Sequence, residues 1–236
     1  MRSLLVVDLG RQPYGDVLDL QRRVARARIA GDVDDDVLLL VEHFPVITHG
    51  RSSKSAHMLA TPEHLQRQGV KLFEVERGGD VTFHGPGQLV GYPIIDLKRH
   101  RQDLHWYLRQ VEQLLIDALA SYGLRCRRQP PYTGVWIDDR KIASIGVHAR
   151  DWVTWHGFAL NVTTDLRYFD LIVPCGIQAV RMTSLKEELP NVDAPVTTVA
   201  KRVIAATGEL FDLRPRRISS AELAETVSSA ADGVAH

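Results

Sequence analysis

The chain has 236 residues, 44% hydrophobic and 25% charged, with 29 basic and 29 acidic side chains and a formal net charge of +0. Those figures fit one globular domain with a sizeable core and give no electrostatic reason to expect nucleic-acid binding. The apolar run near the N-terminus, Leu4–Val7, is too short for a signal peptide, and no run approaches the ~20 apolar residues of a membrane helix, so a cytoplasmic protein without a membrane partner is expected.

In chain order, Leu4–Leu9 reads as a first strand, and Val17, Leu20, Val24 and Ala27 recur at helical spacing, which predicts an amphipathic helix from Tyr14 to Ala30 ended by Gly31. Val37–Val41 is a continuous apolar run, read as a buried strand, and His43–Arg51 reads as irregular. Thr61-Pro62-Glu63 opens a short helix with a capping threonine and proline in the first turn. A strand over 71–76 leads into a glycine-rich loop, and Gln88–Ile95 is the next apolar strand. Leu104, Leu108, Val111, Leu115 and Ala118 mark the longest helix, closed near Gly123. Short strands follow. Val135–Ile137 and Ile142–Val147 flank a hairpin at Asp138–Lys141, and Val153–Val162 is a further strand. Thr183 or Ser184 caps a short helix, with Glu187 completing Ser-x-x-Glu, and Thr198–Leu210 carries a last helical pattern. Strands and helices mix without a regular βαβ rhythm. The expected fold class is therefore α+β, a mixed sheet with helices packed on one face. The main unit covers residues 1–213, and a small, polar, alanine-rich tail over 214–236 is expected to fray.

Two stretches point to chemistry. The first is Arg77-Gly78-Gly79-Asp80-Val81-Thr82-Phe83-His84-Gly85-Pro86-Gly87-Gln88. Glycine at that density disfavours a helix or strand interior, and close approach of backbone to a ligand explains it better than a passive surface loop. The second is Pro174-Cys175-Gly176, where the flanks turn the chain sharply after Leu171-Ile172-Val173 and can leave a thiol at the edge of a cleft. Cys126, the other cysteine, lies in a basic strand-like stretch, and without a secretory context a disulfide between the two is not expected.

A cysteine thiolate is the reactive form of the thiol, and a lysine ammonium at ~4 Å favours it by ~1–4 kcal/mol, depending on the local dielectric. Lys141 is the candidate for that partner, although by position alone it reads as a wet hairpin-tip lysine. The sequence has 10 histidines, and His84, His148 and His156 could gather near Cys175. No i, i+4 histidine pair or Cys-x-x-Cys knuckle supports a metal, so no metal is expected and His84 reads as a hydrogen-bonding residue. A Ser-His-Asp hydrolase lacks a Gly-x-Ser-x-Gly elbow, and a nucleotide-phosphate site lacks a P-loop or a Gly-x-Gly-x-x-Gly. Arg22, Arg23, Arg26 and Arg28 read as the solvated face of the first helix.

Together with Tyr92-Pro93, Gly134-Val135-Trp136, Lys141-Ile142-Ala143-Ser144-Ile145-Gly146-Val147, His156-Gly157-Phe158-Ala159-Leu160-Asn161 and Pro174-Cys175-Gly176-Ile177, the glycine-rich stretch resembles the lipoyl (octanoyl) transferases that begin protein lipoylation. The motifs occur in the family's order. Phe83 stands where tyrosine or tryptophan is more usual. The resemblance implies the catalytic fold of biotin and lipoate protein ligases, Cys175 as acyl-accepting nucleophile, and Lys141 as the residue that lowers its pKa. It implies an acyl pocket lined by residues 77–84, by Ser144, Ile145 and Gly146, and by Gly157, Phe158 and Ala159. It implies octanoyl-acyl carrier protein as donor, a lysine of a lipoyl domain or of glycine-cleavage H protein as acceptor, and no cofactor, because a thioester donor is already activated. An ATP-dependent lipoate or biotin ligase, which would not need Cys175, and a non-catalytic acyl-binding module are the competing expectations.

Overall fold

A computed structural model describes residues 2–232. The first elements are β1 (Arg2–Gln12), α1 (Tyr14–Ala30), β2 (Asp36–His43), β3 (Val46–His49), α2 (Pro62–Arg67), β4 (Lys71–Glu74), β5 (Thr82–His84) and β6 (Gln88–Ile94). There follow α3 (Leu104–Ala120), β7 (Arg127–Gln129), β8 (Tyr132–Ile137), β9 (Arg140–Arg150), β10 (Val153–Asn161), β11 (Arg181–Met182), α4 (Leu185–Glu188), α5 (Val196–Phe211), β12 (Leu213–Arg217) and α6 (Ser220–Asp232).

The strands form a large sheet in the order β12-β1-β2-β6-β10-β9-β8-β7, with β11 added beside β9, and a small sheet in the order β4-β3-β5. The large sheet is mixed: β1 runs parallel to β2 and β12, while β6, β10, β9 and β8 pair antiparallel.

Alternation along β1 and β2 explains the layering. Leu4, Val6, Leu38 and Leu40 face one core with Val111, Leu115 of α3 and Val199, Val203 of α5. Leu5, Val7, Val37 and Leu39 face the other, with Val17 and Val24 of α1 and Leu223 of α6. Both faces of these strands are therefore buried, which is why they read as continuous apolar runs. Helices consequently cover both faces of the sheet, where the sequence led to an expectation of one. Each fully buried leucine or valine contributes ~1.5–3 kcal/mol to this sandwich.

Local chemistry sets several boundaries. The Thr61 side chain accepts from the His64 amide at the start of α2, and Ser184 accepts from the Glu187 amide at 3.2 Å, so Ser184 is the cap of α4. Arg28 does not belong to a solvated helix face. It is buried and donates to Asp36 at 3.0 Å, tying α1 to the start of β2. Arg22 donates to Glu76 at 2.6 and 3.0 Å.

The irregular reading of residues 43–51 and the loop reading of residues 77–88 both miss a strand. β3 and β5 lie within them and pair with each other, Ile47 opposite Phe83. Residues 166–171 form short 3-10 turns, and two residues further on the chain enters the Pro174–Gly176 turn. Residues 213–217, part of which was assigned to the tail, form an edge strand with Leu4 opposite Pro215, and α6 buries Leu223 against the α1 face. Residues 233–236, where fraying was also expected, lie outside the described residues.

Candidate active site

Lys141 is the second residue of β9, and the hairpin that precedes it suggests an exposed side chain. It is 1% exposed instead. β11 supplies the cover: Met182 pairs with Lys141, and the Thr183 amide donates to the Lys141 carbonyl at 3.0 Å. Gly134 leaves room for the lysine stem, because a Cβ there would stand 2.6 Å from Lys141 Cε. Two residues on, the Trp136 ring faces the ammonium at 5.5 Å. The Gly-Val-Trp motif thus forms part of the sheath around a buried lysine.

A buried ammonium requires an anionic or strongly accepting partner. Among the described residues no carboxylate makes an ion pair with Lys141. Its Nζ donates instead to Cys175 Sγ at 3.0 Å, and Ser144 Oγ stands 3.6 Å from the same sulfur. Burial alone would push the Cys175 thiol up. The Lys141 charge and hydrogen bond, then the Ser144 hydrogen bond and the Arg77 charge, outweigh it and hold the thiol below its ordinary value. Cys126 shows the opposite balance: burial and Glu188 push it up to about 11. Both cysteines are free thiols.

Cys175 opens onto a cavity of about 520 Å³. Of the residues expected to line it, Arg77, Gly78, Gly79, Asp80, Thr82, His84, Ser144, Ile145, Gly146, Gly157, Phe158 and Ala159 do so, with Lys141 and Cys175 themselves. Val81 and Phe83 do not. The strand period sends alternate side chains to opposite faces, so Thr82 and His84 face the cavity while Val81 and Phe83 enter the core of the small sheet. There Phe83 stacks on Tyr168 with centroids 4.6 Å apart.

The lining polar groups are mostly engaged. Arg77 is buried and donates to Thr48 Oγ1 and to the Thr48 carbonyl, at 2.8 and 2.7 Å from Nη2. Asp80 accepts from the Val81 amide and lies 2.7 Å from His57 Nδ1. Gln88 directs its amide nitrogen to the Phe83 carbonyl and to Asn161 Oδ1, leaving its oxygen 2.8 Å from His84 Nδ1. Nδ1 is then the protonated nitrogen of a neutral ring. Burial, reinforced by His43 and Arg77, pushes His84 down to about 3. Asn161 continues the chain to the Thr183 carbonyl, so Gln88 and Asn161 link the cavity wall to the segment that covers Lys141.

Sequence reasoning missed Tyr14, Tyr92, Leu104, Leu108, His156 and Ile177 as lining residues. It also missed Thr48 and His57, which hold Arg77 and Asp80. Tyr92 and His156 stood within quoted motifs and carried a signal; Thr48 lay in the stretch read as irregular, and His57 lay beyond it, where no element was assigned. Among the described residues, no group of three or more His, Cys, Asp or Glu side chains could hold a metal ion, and no helix is long and apolar enough to cross a membrane.

Solved structures match the fold. A lipoate-protein ligase A bound with ATP superimposes with a TM-score of 0.78 at 18% identity, covering 99% of this chain and 94% of its own. The putative lipoate protein ligase of T. acidophilum with bound lipoic acid gives 0.76 at 17%, covering 99% and 96%. The biotin protein ligase of Aquifex aeolicus in complex with biotin and ATP gives 0.51 at 16%, covering 90% and 71%. At such identities the likeness speaks to the fold alone: this is the catalytic fold of lipoate and biotin protein ligases. Sequence narrows the class. The lipoyl protein ligase A/B catalytic domain model matches residues 13–208, and the chain belongs to that family. A protein of Solibacter usitatus named octanoyltransferase is 45% identical over 235 residues, covering 98% of this chain and 100% of its own length. Another of that name, from Rubrobacter xylanophilus, is 49% identical over 204 residues, covering 86% and 90%.

Proposed function

We propose that this chain is an octanoyltransferase. It takes an octanoyl group from octanoyl-acyl carrier protein onto Cys175 and passes it to the lysine of a lipoyl domain or of glycine-cleavage H protein. The observation that carries the reading is the 3.0 Å contact between Lys141 Nζ and Cys175 Sγ at the edge of the cavity. Full-length relatives bearing the octanoyltransferase name support it.

In the first half-reaction the Cys175 thiolate attacks the donor's thioester carbon. A C–S bond forms to Cys175, the donor's C–S bond breaks, and the donor sulfur leaves as a thiol after taking a proton from the Lys141 ammonium. In the second, the acceptor amine attacks the acyl carbon, an amide C–N bond forms, and Cys175 leaves as the thiolate beside Lys141, which relays the amine's proton. Covalent catalysis lets two protein partners visit in turn. The exchange is nearly balanced in energy, amide formation is downhill, and no nucleotide enters. Burying the chain's methylenes adds ~0.8 kcal/mol each, a basis for length selection. Two free thiols and no disulfide fit a reducing compartment, which supports a cytoplasmic setting.

An ATP-dependent ligase on the same fold would form no adduct on Cys175. The two readings separate by mass spectrometry of the protein mixed with octanoyl-acyl carrier protein without ATP. An octanoyl adduct on Cys175, retained by Cys126→Ala and lost in Cys175→Ala, is the expected result. Transfer to a lipoyl domain by a folded Cys175→Ala protein would refute the thioester route.

A further inference from the structure

Cys175 and Gly176 are consecutive left-handed residues, with φ of 56° and 67°. A non-glycine residue in that region persists only where its surroundings hold it. Part of that support comes from residues 50–58, a segment the reaction described above does not use.

This segment rests on two parts of the site at once. At its start, the Arg51 amide donates to the Arg77 carbonyl at 3.0 Å and the Ser52 amide to the Gly79 carbonyl at 3.1 Å, so it lies along the cavity wall. At its end, the His57 carbonyl accepts from the Val173 amide at 2.8 Å, and Met58 bridges Ile172. Between them the His57 ring reaches Asp80, Nδ1 to Oδ2 at 2.7 Å. The other Asp80 oxygen takes the Val81 amide at 2.7 Å, and the Val81 carbonyl takes the Cys175 amide at 2.9 Å. The His57–Asp80 pair also presses on the turn itself: a Cβ on Gly176 would stand 2.5 Å from Asp80 Oδ2 and 3.0 Å from His57 Cε1. Both side chains are largely buried, 14% and 8% exposed. Each Asp80 oxygen thus has a partner that ties the carboxylate to the Cys175 turn.

We infer that His57 is a positioning residue for acyl transfer: acting through Asp80, it fixes the Cys175 turn so that the thiol meets the Lys141 ammonium. This rests on the octanoyltransferase reading for its reaction, but not for its geometry. His57→Leu removes the donor to Asp80, and His57→Asn restores one at the place of Nδ1. The pH midpoint for alkylation of Cys175 by iodoacetamide reports the thiol without any acyl substrate; Lys141, Ser144 and Arg77 are the groups that set it. Loading from octanoyl-acyl carrier protein reports kcat and KM, and a thermal melt reports folding.

In His57→Leu the alkylation midpoint should rise by about one unit, equivalent to an about tenfold loss of thiolate at neutral pH. Loading should lose kcat by at least about that factor with KM little changed, and His57→Asn should recover most of both. A folded His57→Leu protein with the wild-type midpoint would overturn the inference, as would equal defects in the Leu and Asn variants. If His57→Leu fails to fold, Asp80→Asn, a weaker acceptor of the same size, must raise the midpoint, and an unchanged midpoint again overturns it. Wild-type protein that takes no octanoyl group yet shows the midpoint shift in His57→Leu would sink the octanoyl reading and leave the positioning role standing.

Discussion

Replacing Lys141 with methionine tests the core of the site. Methionine fills the channel between Gly134 and Trp136 that the lysine stem occupies and removes only the charge and its hydrogen bond. At the observed 3.0 Å, Coulomb's law gives ~1.4 kcal/mol at the dielectric of water and ~5.5 kcal/mol at an effective value of ~20. That corresponds to ~1 to ~4 pKa units. Because Cys175 is only partly covered, the lower end of the range is the expected change. The sign is fixed by the balance of causes: burial raises the thiol, and Lys141 supplies the largest opposing effects. With the lysine gone, burial dominates and the thiol titrates above the ordinary value of ~8.5. Its thiolate fraction at neutral pH drops at least about tenfold, and acyl-enzyme formation drops with it. Iodoacetamide alkylation measured across pH, with Cys126→Ala as background, reads the midpoint directly. A midpoint in Lys141→Met equal to that of the parent would refute the electrostatic argument, whatever the activity.

Acid stability should reveal the buried histidines. Burial pushes His43 down to about 4, and burial with His43 and Arg77 pushes His84 down to about 3. The unfolded chain protonates both near ~6.5 while the folded chain does not, so their contribution is intact above that pH and is lost as pH falls toward the folded values. These two residues should contribute about 2–3 kcal/mol per pH unit to the loss of stability between about pH 6 and 4.5, and His84→Gln should lower the slope by about 1 kcal/mol per pH unit in urea titrations; a slope unaffected by the substitution would contradict the assignment. Gly79→Val should strain the loop, because Gly79 sits at φ +85° while its nearest obstacle, Arg77 Nη1, is 3.7 Å away. The barrier is backbone conformation rather than room, worth ~1–2 kcal/mol, so the protein should fold with a lower melting temperature and load octanoyl groups worse than acetyl groups. A folded Gly79→Val protein that loads octanoyl groups at the parent rate would show that this loop does not bound the cavity.

Periodic and capping signals were legible wherever the determinant was local. Tyr14–Ala30 and the strand at Val37–Val41 follow from spacing and from an unbroken apolar run. What sequence alone could not carry was cover supplied from far along the chain. Lys141 reads as a hairpin-tip lysine until Arg181–Met182 is laid beside β9. His57 is one polar residue between assigned elements until the Asp80 carboxylate is placed against it. β5 hides in a glycine-dense run because its three residues are ordered by pairing with β3, not by their own propensity. Motif resemblance marks residues 77–84 as one pocket wall, but only the strand period separates Thr82 and His84, which face the cavity, from Val81 and Phe83, which do not.

The seam between the two sheets has a consequence for how damage would show itself. One wall of the cavity belongs to the large sheet, through Ser144, Gly146 and Ala159, and the facing wall to the small sheet, through Thr82 and His84. The small sheet keeps its own core, in which Ile47, Leu65, Val81 and Phe83 pack with Phe169 and Ile172. The shape of the cavity therefore depends on how the two sheets fit together, a fit held in part by Val46 of the small sheet packing on Tyr14 and Leu18 of α1. Thinning the small core, far from any reacting atom, would leave the large sheet standing and reset that fit. Its first symptom would be a change in which chain lengths are accepted, seen before any change in whether the protein folds.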